Sequence, residues 1–205
     1  MNKGVCMKLH HPSEHIGDAE QSLQLLREGN QRFVQGQLCD KSSYAMDREI
    51  LPRGQHPFAA VLSCSDSRVV PEIFFDQRMG DLFVIRNAGN LVDDMVVACM
   101  EYAVEVLKCP LLVVCGHSHC GAMTAAHAGS TSLRSFQMVV DALRPAFQVG
   151  DTVEMMTKRS VRHMVTRLQD AVGAFSSKTS VVGAYYDIAS GQVEWLADRI
   201  ARDCH

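Results

Sequence analysis

Residues 57–72, PFAAVLSCSDSRVVPE, join an apolar segment to a cluster of reactive side chains. The part that ends at Leu62 is short and apolar enough for a buried β-strand. If the extended backbone continues past Leu62, alternate side chains share one side, and Cys64, Asp66 and Arg68 line one wall. Open α/β sheets place their ligand crevices at the carboxyl ends of strands. The stretch therefore predicts a site at the end of this strand.

Strand-like and helix-like segments alternate along the rest of the chain, which indicates a parallel sheet covered on both faces. We predict an α/β fold: a mostly parallel central sheet of four strands plus an antiparallel edge strand, helices on both faces and an N-terminal helical arm. The strands are expected at residues 58–64, 81–86, 111–116, 179–188 and 192–196. The helices are expected at 18–35, 93–108, from about 120, and at about 131–148 and 151–174.

Length and composition restrict the class of protein. A chain of 205 residues with 47% hydrophobic residues predicts a single domain, 1–205, in which residues 1–15 form a flexible leader. The formal charge of −3 carries no basic signature for nucleic acid, and no apolar run reaches the length of a bilayer. Several of the eight cysteines, such as Cys99 and Cys115, lie inside apolar runs, which favours free thiols and a cytoplasmic setting.

A second cluster follows the third predicted strand. In CGHSHCGA, residues 115–122, His117 and Cys120 are three residues apart across a strand-to-helix turn. Two cysteines and a histidine are ligands that zinc prefers, and three protein ligands leave a fourth position open. The fold would bring Cys64 to this cluster, so we interpret Cys64, His117 and Cys120 as a candidate zinc site.

Other interpretations fit the same residues. Cys64 is also consistent with a core thiol at a strand end, or with a nucleophile that His117 serves as base. His117 is also consistent with helix capping. The pair Asp66–Arg68 is also consistent with a surface ion pair of little energetic worth.

His119 is an alternative ligand to His117. It directly precedes Cys120, however, and neighbouring side chains tend to diverge. A redox pair is disfavoured, because Cys115 and Cys120 lack the C-x-x-C spacing.

Four segments, in this order and spacing, resemble motifs of the β-class carbonic anhydrases: CSDSRVVPE, GDLFVIRNAGN, EYAVEVL and CGHSHCGA. The segments LLREGNQRFVQG and GAYYDIASGQVEWL are similar to those of bacterial members. The resemblance covers about residues 18–196. It implies a zinc-dependent carbonate dehydratase that converts carbon dioxide reversibly to bicarbonate and a proton. It also implies a homodimer or a dimer of dimers, and the amphipathic helix over 18–35 is a candidate to pack on a partner subunit.

The resemblance also implies a role for each matching residue. Cys64, His117 and Cys120 match the ligands of one Zn²⁺ per chain. Asp66 and Arg68 match a catalytic dyad beside the metal. The positions that bind substrate are matched by Gln55, Phe83, Ala88, Tyr102 and Gly121.

The ligand charges indicate a mechanism. Two thiolates and a neutral histidine bring Zn²⁺ to formal neutrality, so this site acidifies a bound water less than a three-histidine site does. Asp66 would accept a hydrogen bond from zinc-bound hydroxide and orient its attack on carbon dioxide. Arg68 would keep Asp66 ionised and away from the metal.

Two other functions are compatible with these residues. Hydrolysis of carbonyl sulfide or carbon disulfide is known on the same scaffold, although Gln55 and the absence of a tunnel-forming extension favour carbon dioxide. A structural zinc protein or a thiol sensor would need a closed four-ligand site, without Gln55 or an apolar pocket.

Overall fold

The computed structural model describes residues 17–41, 48–49, 51–173, 176 and 178–197, so the leader predicted at 1–15 lies outside the described residues. A five-stranded sheet has the order β2-β1-β3-β4-β5. Its strands are β1 (Ala59–Cys64), β2 (Leu82–Asn87), β3 (Leu111–His117), β4 (Ser180–Tyr186) and β5 (Val193–Ala197). The first four are mutually parallel and β5 is antiparallel to β4, which confirms the predicted fold class.

Five of the described helices correspond to predicted ones, whereas the short helix at Pro71–Phe74 was not predicted. The described helices are α1 (Ala19–Val34), α2 (Pro71–Phe74), α3 (Asp94–Glu105), α4 (Gly121–Ala128), α5 (Gln137–Leu143) and α6 (Val153–Gly173). The predicted N-cap Asp18 accepts a hydrogen bond from the backbone N–H of Glu20 at 2.8 Å. A side chain that accepts from the first turn satisfies a donor that the helix leaves unpaired.

The helix predicted at 131–148 is shorter than expected, because α5 begins only at Gln137. The preceding residues use side chains to bind their own backbone: Thr131 Oγ1 accepts from the N–H of Leu133 at 3.2 Å, and Gln137 Oε1 accepts from the N–H of Thr131 at 3.2 Å. Such local contacts compete with helix formation. At the other end, Pro145 lies in a short 3₁₀ turn, Arg144–Ala146.

The sheet separates two apolar layers. One face of β1, β3 and β4 packs with α1 and α2, and its buried members include Leu23, Leu26 and Phe75. The opposite face packs with α3 and α6 through residues such as Met100 and Met164. Near-continuous burial of β1, β3 and β4 is typical of parallel strands covered on both sides.

The helical arm α1 packs on its own chain through Leu23 and Leu26, whereas its packing on a partner subunit stays a prediction. Leu23 and Leu26 are fully buried in the layer formed with α2. Asn30 fixes the helix further, because its Nδ2 donates to the carbonyls of Phe74 and Gly191 at 3.0 and 2.8 Å. Its Oδ1 accepts from the N–H of Val193 at 3.0 Å.

Helix α6 approaches the sheet closely where two strands lack side chains. A Cβ added to Gly116 would lie 2.7 Å from Val161 Cγ2, and one added to Gly183 would lie 3.0 Å from Val161 Cγ1. Both contacts are closer than side-chain atoms normally come, so Val161 occupies a notch that only two glycines leave open. Gly116 directly precedes His117, so this notch also fixes the end of β3.

Five of the six described cysteines are free, as the composition predicts. Cys39 is disulfide-bonded, which the composition does not predict. None of the helices in the described part of the chain combines the length and apolar character needed to span a bilayer.

Close packing explains why Gly29, a poor helix former, lies in the middle of α1. A Cβ there would lie 1.8 Å from the carbonyl oxygen of Phe75, so α1 approaches α2 more closely than alanine allows. Gly29→Ala should therefore destabilise the protein by about 1–3 kcal/mol, against the gain of about 1 kcal/mol usual for this change in a helix.

Denaturant unfolding would measure this change. Gly173→Ala is the matched control, since a Cβ on this last residue of α6 meets no heavy atom within 4 Å. It should leave stability unchanged or slightly raised. A Gly29→Ala protein as stable as the parent would contradict the assigned close approach.

Candidate metal centre and active site

The candidate ligands lie where the sheet topology brings two strand ends together. Cys64 is the last residue of β1 and His117 the last residue of β3, and these strands are neighbours. The register pairs Ser63 with Cys115, so both ligands extend past the same edge of the sheet. Cys120 directly precedes α4. Because β2 lies on the other side of β1 from β3, this edge is a topological switch point of the kind where ligands bind.

The donor atoms of Cys64, His117 and Cys120 all lie within 4.8 Å of one another, and the three residues are buried. His117 Nδ1 lies 2.9 Å from the carbonyl oxygen of Ser118, which requires the proton on Nδ1. Nε2 is buried without a hydrogen-bond partner. A neutral imidazole held in this tautomer presents a free lone pair, as a metal ligand must. The donor set S, S and N therefore fits zinc.

The Cys64 and Cys120 thiols are hydrogen-bonded to each other. A hydrogen bond from Cys120 lowers the pKa of the Cys64 thiol well below its usual range, despite burial, and the backbone N–H groups of Gly89 and Asp66 act in the same direction. The same contact, together with burial, raises the pKa of Cys120. A dication between the sulfurs would stabilise both as thiolates, which makes the pair suited to metal binding.

Asp66 and Arg68 form a bidentate pair. Arg68 Nε and Nη2 donate to Asp66 Oδ1 and Oδ2 at 2.9 and 2.7 Å, and the N–H of Arg68 adds a third hydrogen bond at 3.0 Å. These contacts hold the pKa of the Asp66 carboxyl well below its usual range. Arg68 Nη2 also donates to the carbonyl of His119 at 3.2 Å. The pair thus joins the loop after Cys64 to the loop that carries the other ligands.

His119 lies outside this candidate metal-binding group. Its φ of 56° is unusual for a residue with a side chain, and its own side chain is exposed. The backbone at this position turns the chain between His117 and Cys120. The structure therefore groups the sulfurs with His117 rather than with His119.

Sequence reasoning did not single out Arg86, which contacts the same loop. Its Nε donates to the carbonyl of Cys64 at 2.9 Å and its Nη2 to the carbonyl of Asp66 at 2.6 Å. Ser118 was also missed: its Oγ accepts from the N–H of Ile188 at 2.9 Å and ties the His117 loop to the end of β4. Neither contact has a sequence signal, because each joins segments that are distant along the chain.

Two of the residues matched to substrate binding lie beside the ligands. Ala88 directly follows Asn87, the register partner of Cys64, and is half-buried. Gly121 directly follows Cys120 and is exposed.

The other three lie elsewhere in the same chain. Gln55 precedes the amino end of β1, whereas Cys64 ends that strand. Phe83 lies four residues before Asn87, a separation of about 13 Å along β2. Tyr102 on α3 contacts Phe83, with ring centroids 6.2 Å apart. These three side chains are therefore not grouped with the metal ligands of their own chain.

Comparison with known proteins agrees with this geometry. The sequence profile of the carbonic anhydrase family matches residues 59–193. A carbonic anhydrase of Mycolicibacterium smegmatis is 38% identical over 183 residues, which cover 82% of this chain and 89% of that protein.

Solved structures define the class. The β-carbonic anhydrase CcaA is 32% identical, with a TM-score of 0.67 over 88% of this chain and 99% of that one. One of two tetrameric β-carbonic anhydrases from the ascomycete Sordaria macrospora is 26% identical, with a TM-score of 0.68 over 77% and 91% of the two chains. The chain belongs to the β-class carbonic anhydrase family.

The ligand geometry predicts which substitutions release metal. Cys64→Ser and His117→Ala should each lose most of the bound zinc, because removing one of three protein ligands removes most of the binding free energy. His119→Ala should keep about one zinc per chain. Elemental analysis after dialysis against a weak chelator measures all three. Full occupancy in Cys64→Ser, or zinc loss in His119→Ala, would contradict the assignment.

Proposed function

We propose that this protein catalyses the reversible hydration of carbon dioxide to bicarbonate and a proton, with one zinc ion held by Cys64, His117 and Cys120. The observation that carries the proposal is the buried S, S, N donor set with a free His117 Nε2, at a switch point of a β-class carbonic anhydrase fold. When bound, zinc would act as a Lewis acid that makes water nucleophilic near neutral pH.

Asp66 would orient the reacting water. Its carboxylate is ionised and fixed by three hydrogen bonds from Arg68, yet its side chain remains 17% exposed, so it can accept one more hydrogen bond. An acceptor held in place aims a lone pair of the water oxygen toward carbon dioxide without reorganising during reaction. Arg68 positions Asp66 and keeps it from moving onto the metal.

Ala88 and Gly121 flank the ligands and would border the substrate. The Ala88 methyl group would supply apolar surface at this end of the sheet, which suits a nonpolar gas. Backbone N–H groups near Gly121, at the start of α4, would bind the bicarbonate product.

The direct test combines metal analysis with a stopped-flow assay of carbon dioxide hydration. About one zinc per chain and rapid hydration are expected. Zinc without hydration, together with hydrolysis of carbonyl sulfide or carbon disulfide, would replace the proposed substrate. Zinc without either activity would leave a structural role.

Asp66→Asn separates chemistry from metal binding in the same assay. The amide has nearly the same shape but is a poorer acceptor and no ionic partner for Arg68. Zinc should stay bound while hydration slows about tenfold or more, since a charge-assisted contact of this kind contributes about 1.5–3 kcal/mol. Turnover near that of the parent would show that the dyad is structural.

We also propose that the enzyme is a homodimer, or a dimer of dimers, in which the pocket residues serve the metal site of the partner. Strand β2 is an edge of the described sheet. The neighbouring α3 and its C-cap residue carry an apolar stripe at helical spacing: Met95, Cys99, Tyr102 and Val106. Met95 and Val106 are 74% and 59% exposed. Such a stripe opposite the buried face of a helix favours a protein contact.

The incomplete pocket argues for a second copy as the occupant of this surface. Gln55, Phe83 and Tyr102 match substrate-binding positions but lie away from their own metal ligands. Tyr102 is exposed on α3, and Phe83 is half-buried on the neighbouring β2. A two-fold contact through this surface would bring the three pocket residues of each chain toward the metal ligands of the other chain.

Mixed assemblies test this arrangement. Cys64→Ser removes the metal site but keeps Gln55, whereas Gln55→Ala does the reverse. If pocket residues act across the interface, mixing the two weak variants after dissociation should restore about a quarter of the parent activity, because half of randomly assorted dimers contain both chains and each has one complete site. No recovery, with mixed dimers confirmed by mass spectrometry, would place the pocket within one chain.

A further inference from the structure

Where β1 ends, the side chain of Arg86 makes hydrogen bonds to the last residue of the strand and to the chain that follows it. The ladder between β1 and β2 continues to the N–H of Ser65, which donates to the carbonyl of Asn87 at 2.9 Å. The chain then turns, and the N–H of Val69 donates back to the carbonyl of Asp66 at 3.0 Å. On either side of Ser65, the Arg86 guanidinium donates to the carbonyls of Cys64 and Asp66.

The two carbonyls belong to residues whose side chains have different proposed roles. Cys64 supplies a candidate metal ligand and Asp66 the carboxylate beside it. A planar guanidinium with donors in fixed directions can hold two carbonyl oxygens at a set separation, which a flexible ammonium cannot. Arg86 therefore fixes the backbone of the ligand and that of the carboxylate with respect to each other.

Arg86 forms no ion pair within the described part of the chain, although its guanidinium is charged. Its hydrogen bonds are to neutral carbonyls. The orientation of the Arg86 side chain is therefore explained by the planar geometry of its guanidinium rather than by an ion pair. Asp66 is consequently held at two points: its carboxylate by Arg68 and its carbonyl by Arg86.

We propose that Arg86 is a positioning residue that fixes the backbone from Cys64 to Asp66 and so sets the position of the Asp66 carboxylate relative to the metal site. The catalytic consequence rests on the function proposed above. The positional consequence does not, since it concerns the backbone of the chain itself.

Two variants separate geometry from charge. Arg86→Gln removes both, whereas Arg86→Lys keeps the charge but can reach only one carbonyl. Arg159→Gln is the matched control, because Arg159 also donates two hydrogen bonds, both at 3.1 Å, to Asp151 and lies outside the site. It should lower stability without changing the loop.

Hydrogen–deuterium exchange of the metal-free protein is the first measurement. In both Arg86 variants, the amides of Ser65, Arg68 and Val69 should exchange at least about fivefold faster than in the parent, because the loop opens locally more often. In Arg159→Gln they should be unchanged. Unchanged exchange in the Arg86 variants, or equal acceleration in the control, overturns the proposal. If Arg86→Gln does not fold, Arg86→Lys decides.

Cobalt(II) substitution is the second measurement. The visible bands of cobalt report ligand geometry, and they should shift in both Arg86 variants and not in Arg159→Gln. Hydration by the zinc forms should show kcat lowered about tenfold with a smaller change in KM, as for a misplaced group that acts in the transition state.

The outcomes separate the two proposals. A parent protein that binds no metal would refute the proposed function, while the exchange data still decide on Arg86. Loss of activity with unchanged cobalt bands and unchanged exchange would mean that Arg86 acts on the substrate directly, which overturns a positioning role.

Discussion

The parallel pairing of β1 with β3 is the constraint on which the site depends. Cys64 and His117 are 53 positions apart in the printed sequence, and only this register brings both past the same edge of the sheet. Parallel strands cannot be joined by a tight turn, so β2 and α3 must lie between them along the chain. The intervening segment then forms the sheet edge and the helix that carry Phe83 and Tyr102. One topological requirement thus produces both the ligand group and the surface beside it.

Electrostatics then determines what this edge can hold. Two buried sulfurs in close contact form a site for a cation, because neither burial nor mutual repulsion favours two bare thiolates. The guanidinium groups of Arg68 and Arg86 stand near them but bind a carboxylate and backbone carbonyls. Positive charge is therefore present without competing for the ligand atoms. The same arginines are hydrogen-bonded to the loop that carries Cys64 and Asp66.

Sequence reasoning predicts the fold and the three residues that the structure groups, because local patterns mark the elements and the residues at the strand ends. Apolar runs and caps such as Asp18 define the elements, and the C-x-D-x-R and H-x-x-C spacings mark the strand ends. It fails where contacts are made across the fold. The late start of α5 follows from side-chain hydrogen bonds near Thr131, and the packing of α1 on its own chain depends on Asn30 meeting three distant backbone groups. Arg86 could not be found from spacing, since it is 22 residues from Cys64 and acts on carbonyls, which every residue has.

Because of the notch that holds Val161, the two sides of the site differ in how readily they accept substitutions during evolution. On the side of α6, the helix rests on Gly116 and Gly183, and any larger residue there would displace the helix together with the histidine that follows Gly116. On the side of β2 and α3, half-exposed side chains can change size without moving a strand. Substitutions are therefore restricted on the side of α6 and tolerated on the side of β2 and α3. A lineage that acquires a new substrate on this scaffold would have to change the second side while leaving the first intact.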